Sequence, residues 1–140
     1  MRISGDPSRE PSDYPFAHPV EPRFAETDAM GIIHHAAYLP WLEETRIALL
    51  RAAGHAYHEV RASGLDITVV ELFTAYLRPV RFGASVEVRA RVRDVRRSTF
   101  EIQYLVHQAG HACTLGVTLH ACLDHATGRP IRVPEWVSAI

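Results

Sequence analysis

The residues best placed to do chemistry lie in one short run, Glu26-Thr27-Asp28-Ala29-Met30-Gly31, followed by His34-His35. Asp28 stands among small residues, beside a glycine and ahead of a long apolar-periodic segment. A carboxylate there can attack an electrophilic carbon or activate a water. The first turn of the following helix offers unpaired N–H groups and a partial positive charge, which polarise a carbonyl and stabilise the oxyanion formed on attack. Gly31 lets the backbone turn sharply beside such a site. On residue types alone a turn or capping aspartate is the plainer reading, although the helical pattern starts about eight residues later, too far for a direct cap.

Other polar groups offer rival chemistry. His34, His35, His55 and His58 raise the question of a metal site. His55 and His58 are three apart on a helical stretch but lack an acid-flanked ligand motif, so polar surface or core-edge histidines are expected and no metal. His35 could also serve as a general acid for a leaving thiolate. All fifteen Lys+Arg residues are arginine, a side chain whose planar fork suits phosphate. Arg96 and Arg97, next to Ser98 and Thr99 at a turn, suit that role, with Arg81 a weaker candidate. Arg89, Arg91 and Arg93 read as a solvated sheet face.

The elements that must position these groups follow from periodicity. Residues 1–17, rich in proline and polar residues, read as a flexible tail, with the folded domain over 18–140. A strand over about His18 to Ala25 leads into the Asp28 segment. Leu39, Leu42, Leu49, Leu50 and Ala53, widened by Tyr38, Trp41 and Ile47, predict a mostly buried helix over about 36–53, stopped by Gly54. A short helix over about 57–63 follows. Four strands come next, with clean two-residue alternation at Val86-Val88-Ala90-Val92, at Phe100-Ile102-Tyr104-Val106 and at Cys113 through Leu123. The links at 96–98 and 109–110 are short enough for hairpins. A five-stranded antiparallel sheet with one long helix to cover it predicts an α+β fold, the sheet wrapped around the helix.

Composition narrows the class. Nearly half the chain is hydrophobic and the net charge is -1, so a folded core is expected and bulk charge points to neither nucleic acid nor membrane. Cys113 and Cys122, nine apart on one strand, are expected on opposite faces and unbridged. With no apolar leader and no membrane-length stretch, a cytoplasmic protein with free thiols is expected.

The run from Phe24 to Glu43, with Asp28, Gly31, His35, Tyr38, Glu43 and then Arg46 in register, resembles the signature of the 4-hydroxybenzoyl-CoA thioesterase-like family. Its bacterial acyl-CoA thioesterases, including the subfamily associated with the Tol–Pal cell-envelope system, are the nearest pattern. Tyr76-Leu77-Arg78-Pro79, Arg96-Arg97-Ser98-Thr99 and Thr127-Gly128-Arg129-Pro130 resemble its later segments in the right order. The resemblance implies a hotdog fold and hydrolysis of an acyl-CoA to free acid and CoA. It implies Asp28 as nucleophile or general base, the His35 amide as oxyanion donor, and Gly31 shaping the turn. Tyr38 and His34 would line the acyl side, and Arg81, Arg96, Arg97, Ser98 and Thr99 the CoA side. CoA is then substrate, with no separate cofactor, and the active sites lie between subunits of a homodimer or homotetramer. Two departures stand out: Ala37 replaces a common Asn or Ser, and His34 replaces a common Tyr or Trp. A thioesterase acting on acyl carrier protein, a hydroxyacyl-thioester dehydratase and a non-catalytic acyl-thioester binder are the alternatives.

Overall fold

The structure, a computed structural model, describes residues 3–140. Strand β1 (Phe16–Val20) is followed by 3-10 turns at Phe24–Glu26 and His35–Ala37. Helices α1 (Tyr38–Ala52) and α2 (Tyr57–Ala62) come next, then β2 (Leu65–Tyr76), β3 (Val86–Arg93), β4 (Thr99–Gln108), β5 (His111–Asp124) and a final turn of helix, α3 (Glu135–Ser138). The five strands form one sheet in the order β1-β3-β4-β5-β2, every neighbouring pair antiparallel. Among the described residues no helix is long and apolar enough to cross a membrane.

Helix α1 covers one face of this sheet. Its Tyr38, Trp41, Leu42, Leu49 and Leu50 are buried, and all but Leu50 join Val86, Val88, Ala90, Phe100, Ile102, Tyr104 and Val106 in the main core. Each such side chain taken fully out of water contributes about 1.5–3 kcal/mol. Gly116 lets the helix come close, because a Cβ there would lie 2.9 Å from Leu42 Cδ1. Gly54, with φ of +92°, ends the helix in the left-handed conformation that a Cβ disfavours. The far side of α1 is less covered than the periodicity suggests: Leu39 is exposed and Ile47 only half-buried.

The structure revises four expectations. The first strand runs from Phe16 to Val20, ending just before Pro22, and Phe24–Glu26 is a 3-10 turn. The apolar residues of β5 do not face α1. Leu115, Val117 and Leu119 belong to separate clusters on the opposite face, while Thr118 and His120 share the helix side with their register partners Ile102 and Phe100. Cys113 departs from its alternation because the register shifts there, Val106 pairing with Thr114 and His107 with Ala112. That bulge turns Cys113 into the core that also holds Cys122, and both thiols are free.

The fourth revision concerns the expected tail and the arginine face. From Ile3 onward the N-terminal segment lies across the back of the sheet. Ile3 packs with Val117 and Leu119, and Tyr14, 1% exposed, packs with Leu105 and Leu115. Arg89 donates to the carbonyls of Pro11 and Tyr14, and Arg91 donates to that of Asp13 with its guanidinium 5.0 Å from the Tyr14 ring centroid. Ser4 donates its N–H and hydroxyl to the fully buried Glu101, which Arg96 also binds at 2.9 Å. These arginines clamp a strap and are not simply a solvated face. Met1 and Arg2 lie outside the described residues.

Two predictions follow from this packing. Tyr14→Ala strips the strap of its largest anchor and should cost about 3 kcal/mol in urea unfolding, the usual range for truncating a buried aromatic ring. His120, fully buried, is bonded through Nε2 to Thr118 at 2.7 Å with Nδ1 unpartnered. Burial, and then the charge of Arg46, push its imidazole from an ordinary 6.5 down to about 3. The unfolded chain therefore takes up a proton that the fold refuses, so stability is intact above 6.5 and falls as pH drops towards 3, by up to ~1.4 kcal/mol per pH unit. Unfolding midpoints at pH 7 and pH 5 should differ less in His120→Asn than in the wild type.

Candidate active site

The segment from Thr27 to Ile33 folds back on itself. Thr27 and Ile33 form an isolated antiparallel bridge, and Asp28 N–H donates to Ile32 O at 2.8 Å. Gly31 closes the loop with φ of +76°, its N–H reaching Asp28 O at 3.1 Å. Asp28 Oδ1 accepts the N–H of Met30 at 2.8 Å and that of Ile32 at 3.4 Å. So the turn-aspartate reading holds for one carboxylate oxygen. Oδ2 accepts no hydrogen bond from the described residues, and Asp28 lines a cleft of about 390 Å³.

His35, Tyr38, Tyr76 and Arg78 share that cleft with Asp28. The helix start is built around His35. His34 is its N-cap, with Nδ1 accepting the Ala36 N–H at 3.2 Å and its carbonyl accepting the Ala37 N–H at 2.9 Å. Tyr76 hydroxyl donates to His35 O at 2.6 Å. The next peptide is thereby held at both ends, while the His35 N–H donates to no acceptor among the described residues. It is the free amide at the helix tip, the kind of group that holds an oxyanion.

The other expected site residues fall in three places. Tyr38 is 2% exposed and its hydroxyl accepts the Val80 N–H at 3.3 Å, so it forms the cleft floor. Burial raises its phenol above the ordinary 10. His34 caps the helix, and its ring lies beside that of His35, centroids 4.1 Å apart and tilted by 36°. Arg81 flanks the loop through a backbone bridge to Ile32, with Gln108 bonded to both its N–H and its carbonyl. Arg96, Arg97, Ser98 and Thr99 do not join the cleft within one chain. Thr99 pairs with Ala121 and Tyr76 with Thr114, seven residues apart along β5, roughly 24 Å at about 3.4 Å per residue.

Sequence reasoning missed Tyr76 and Arg78 as cleft residues, and placed Glu26 in the Asp28 run without giving it a contact. Tyr76 and Arg78 sit at the end of an exposed edge strand, where an aromatic and a cation pass for ordinary surface. Glu26 is buried and accepts the Trp41 indole N–H at 2.9 Å. Its signal was an acid placed two residues before Asp28 with a tryptophan in the next helix. Among the described residues no group of three or more His, Cys, Asp or Glu could hold a metal ion.

Comparison with known proteins agrees with this architecture. The model of the thioesterase-like superfamily matches residues 22–140. YneP of Bacillus subtilis is 31% identical over 125 residues, covering 86% of this chain and 91% of its own. The crystal structure of the hypothetical protein TT1821 from Thermus thermophilus superposes with a TM-score of 0.82 at 35% identity, across 88% of this chain and 97% of that one. The DHNA-CoA thioesterase from Staphylococcus aureus does so at 0.80 and 29% identity, across 88% and 86%. With its five-stranded antiparallel sheet packed on one long helix, and with the family pattern running from before Asp28 to the last residue, this chain belongs to the thioesterase-like superfamily and has the hotdog fold.

Proposed function

We propose that the protein hydrolyses acyl-CoA thioesters to a free carboxylic acid and CoA, with Asp28 and the His35 amide as the reacting pair. The observation that carries this reading is the cleft shared by a carboxylate with one uncommitted oxygen and a helix tip with one uncommitted N–H. The thioester oxygen, set on the His35 amide, gains negative charge as the carbonyl carbon is attacked. Two routes fit. Asp28 takes a proton from water as its oxygen bonds to the carbon, or Asp28 bonds directly and water then cleaves the anhydride. In both, the C–S bond breaks, the sulfur leaves as thiolate and takes up a proton, and the acid departs. Arg78, in the cleft lining, is a candidate cation for the CoA phosphates. The Staphylococcus aureus relative within the same fold is named a DHNA-CoA thioesterase, which supports CoA as the carrier.

The working unit in this reading is a homodimer joined along β2. That strand is a sheet edge, and it exposes Val69, Val70 and Leu72. An unpaired apolar edge is a template for another strand. Two copies paired antiparallel would bring the Tyr76 end of one β2 beside the Leu65 end of the other. The partner's Arg96 and Ser98 turn then lies at the same end of the joined sheet as this chain's Asp28. The candidate phosphate-binding turn and the candidate catalytic pair, far apart in one chain, become parts of one site. A cavity of about 420 Å³ lies between α1, α2 and the start of β2, with Ile47, Leu50, Leu65 and Ile67 in its wall. It would offer an apolar wall to the acyl group.

Asp28→Asn should lower kcat by on the order of a hundredfold or more, with an unchanged circular dichroism spectrum and oligomeric state, as loss of a base or nucleophile requires. Thiol release from short, long and aromatic acyl-CoAs measures it; full activity in the variant would refute the assignment. Leu72→Arg, which puts a charge into the proposed seam, should elute as a monomer on size exclusion and lose turnover. A monomeric variant that hydrolyses acyl-CoA at the wild-type rate would refute the shared site.

A further inference from the structure

The Asp28 turn and the helix tip belong to different stretches of chain, and one side chain ties them together. Glu26 is 8% exposed. Its Oε2 accepts the Trp41 indole N–H at 2.9 Å, and its Oε1 accepts the Arg23 N–H at 2.7 Å. The Arg23 guanidinium lies 3.6 Å from the same Oε1. The backbone of Glu26 works too, its carbonyl accepting the His34 N–H at 2.7 Å. Trp41, 4% exposed, stands in the first turn of α1 and packs edge-on against Tyr38, centroids 5.1 Å apart.

A buried carboxylate is costly unless its hydrogen bonds are made, and an apolar residue packed against Trp41 would avoid that cost. An apolar contact would not fix direction. The indole bond sets how α1 sits relative to the loop, and the carbonyl bond to His34 sets where the helix tip begins. Glu26 lies two residues before Asp28, and His34 lies one before His35. The same residue thus registers the carboxylate against the amide.

We infer that Glu26 is a positioning residue for the reaction, holding Asp28 and the His35 N–H in register through its buried bond to Trp41. This rests on the thioesterase reading of the cleft. A shift of about 1 Å between reacting groups costs on the order of a hundredfold in rate, so a modest slip of α1 would be felt in kcat before substrate binding.

The test compares Glu26→Gln, Glu26→Ala, Trp41→Phe and the Glu26→Ala/Trp41→Phe double variant, with Asp28→Asn as reference. Trp41→Phe removes only the donor and keeps a ring in the core, and Glu26→Gln keeps an acceptor for the indole. The inference expects kcat in Trp41→Phe and in Glu26→Ala to fall about tenfold or more with KM within about twofold, most of the rate kept by Glu26→Gln, and a double variant no slower than the worse single one. If Asp28→Asn is inactive while Trp41→Phe and Glu26→Gln differ from wild type only in unfolding midpoint, the bond is merely structural and the inference fails while the thioesterase reading stands. Multiplying losses in the double variant would also overturn it. If wild type turns over no acyl-CoA, the thioesterase reading fails, and hydrogen exchange decides the link: faster exchange of the His34 amide in Trp41→Phe supports it, and unchanged exchange refutes it.

Discussion

The first N–H groups of a helix have no partners within the helix, and the rest of this fold decides where those of the 3-10 turn leading into α1 point. Buried among β3, β4 and β5 by Tyr38, Trp41, Leu42 and Leu49, the helix cannot turn its tip to bulk water without opening the core. His34 takes the Ala36 amide and Tyr76 takes the His35 carbonyl. The His35 amide is what remains, and Asp28 is brought to the same cleft by a loop closed at Gly31. A carboxylate near a positive helix end is electrostatically favourable in the resting protein. The same field favours the negative charge that a thioester oxygen acquires on attack. Stability and reactivity here draw on one source.

A sheet has two faces, and this one covers them differently. The helix side carries the main core and, beneath it, the polar series Tyr104, Thr118 and His120, joined at 2.9 and 2.7 Å. The other side is covered locally by the segment from Ile3 to Tyr14, locked by Arg89, Arg91 and Glu101. Uncovered apolar groups include Met30 in the cleft and Val69, Leu72 and Tyr76 along β2. The cleft lies at the Tyr76 end of β2, where the proposed pairing of two chains would make it part of a shared site.

Much of this was legible in the residues. Two-residue alternation gave β3, β4 and β5 to within a few positions, although β4 and β5 are buried on both faces. The spacing of Leu42, Leu49 and Leu50 gave α1. Asp28, Gly31 and His35 stood out by motif, and all three lie in or beside the cleft. What misled was alternation read as direction. The apolar series Leu115, Val117 and Leu119 shows that one face of β5 is buried, but not which cover buries it, and the strap supplied a second one. The bulge at Cys113 inverted a parity argument because a single extra residue moves a side chain to the other face. The contacts of Tyr76 and Glu26 were harder to read because their partners lie forty-one and fifteen residues away along the chain, and the acid two residues before Asp28 was the one local trace of them.

The central claim is that one thioester carbon is met from two sides, by the Asp28 carboxylate and by the His35 amide. A crystal structure with a non-hydrolysable acyl-CoA analogue, its thioester sulfur replaced by a methylene group, tests it most directly. The analogue's carbonyl oxygen is expected about 3 Å from His35 N, with an Asp28 oxygen, or a water bound to it, within about 3.5 Å of the carbonyl carbon. An analogue seated with its carbonyl away from the helix tip, and Asp28 still turned into its own loop, would contradict it.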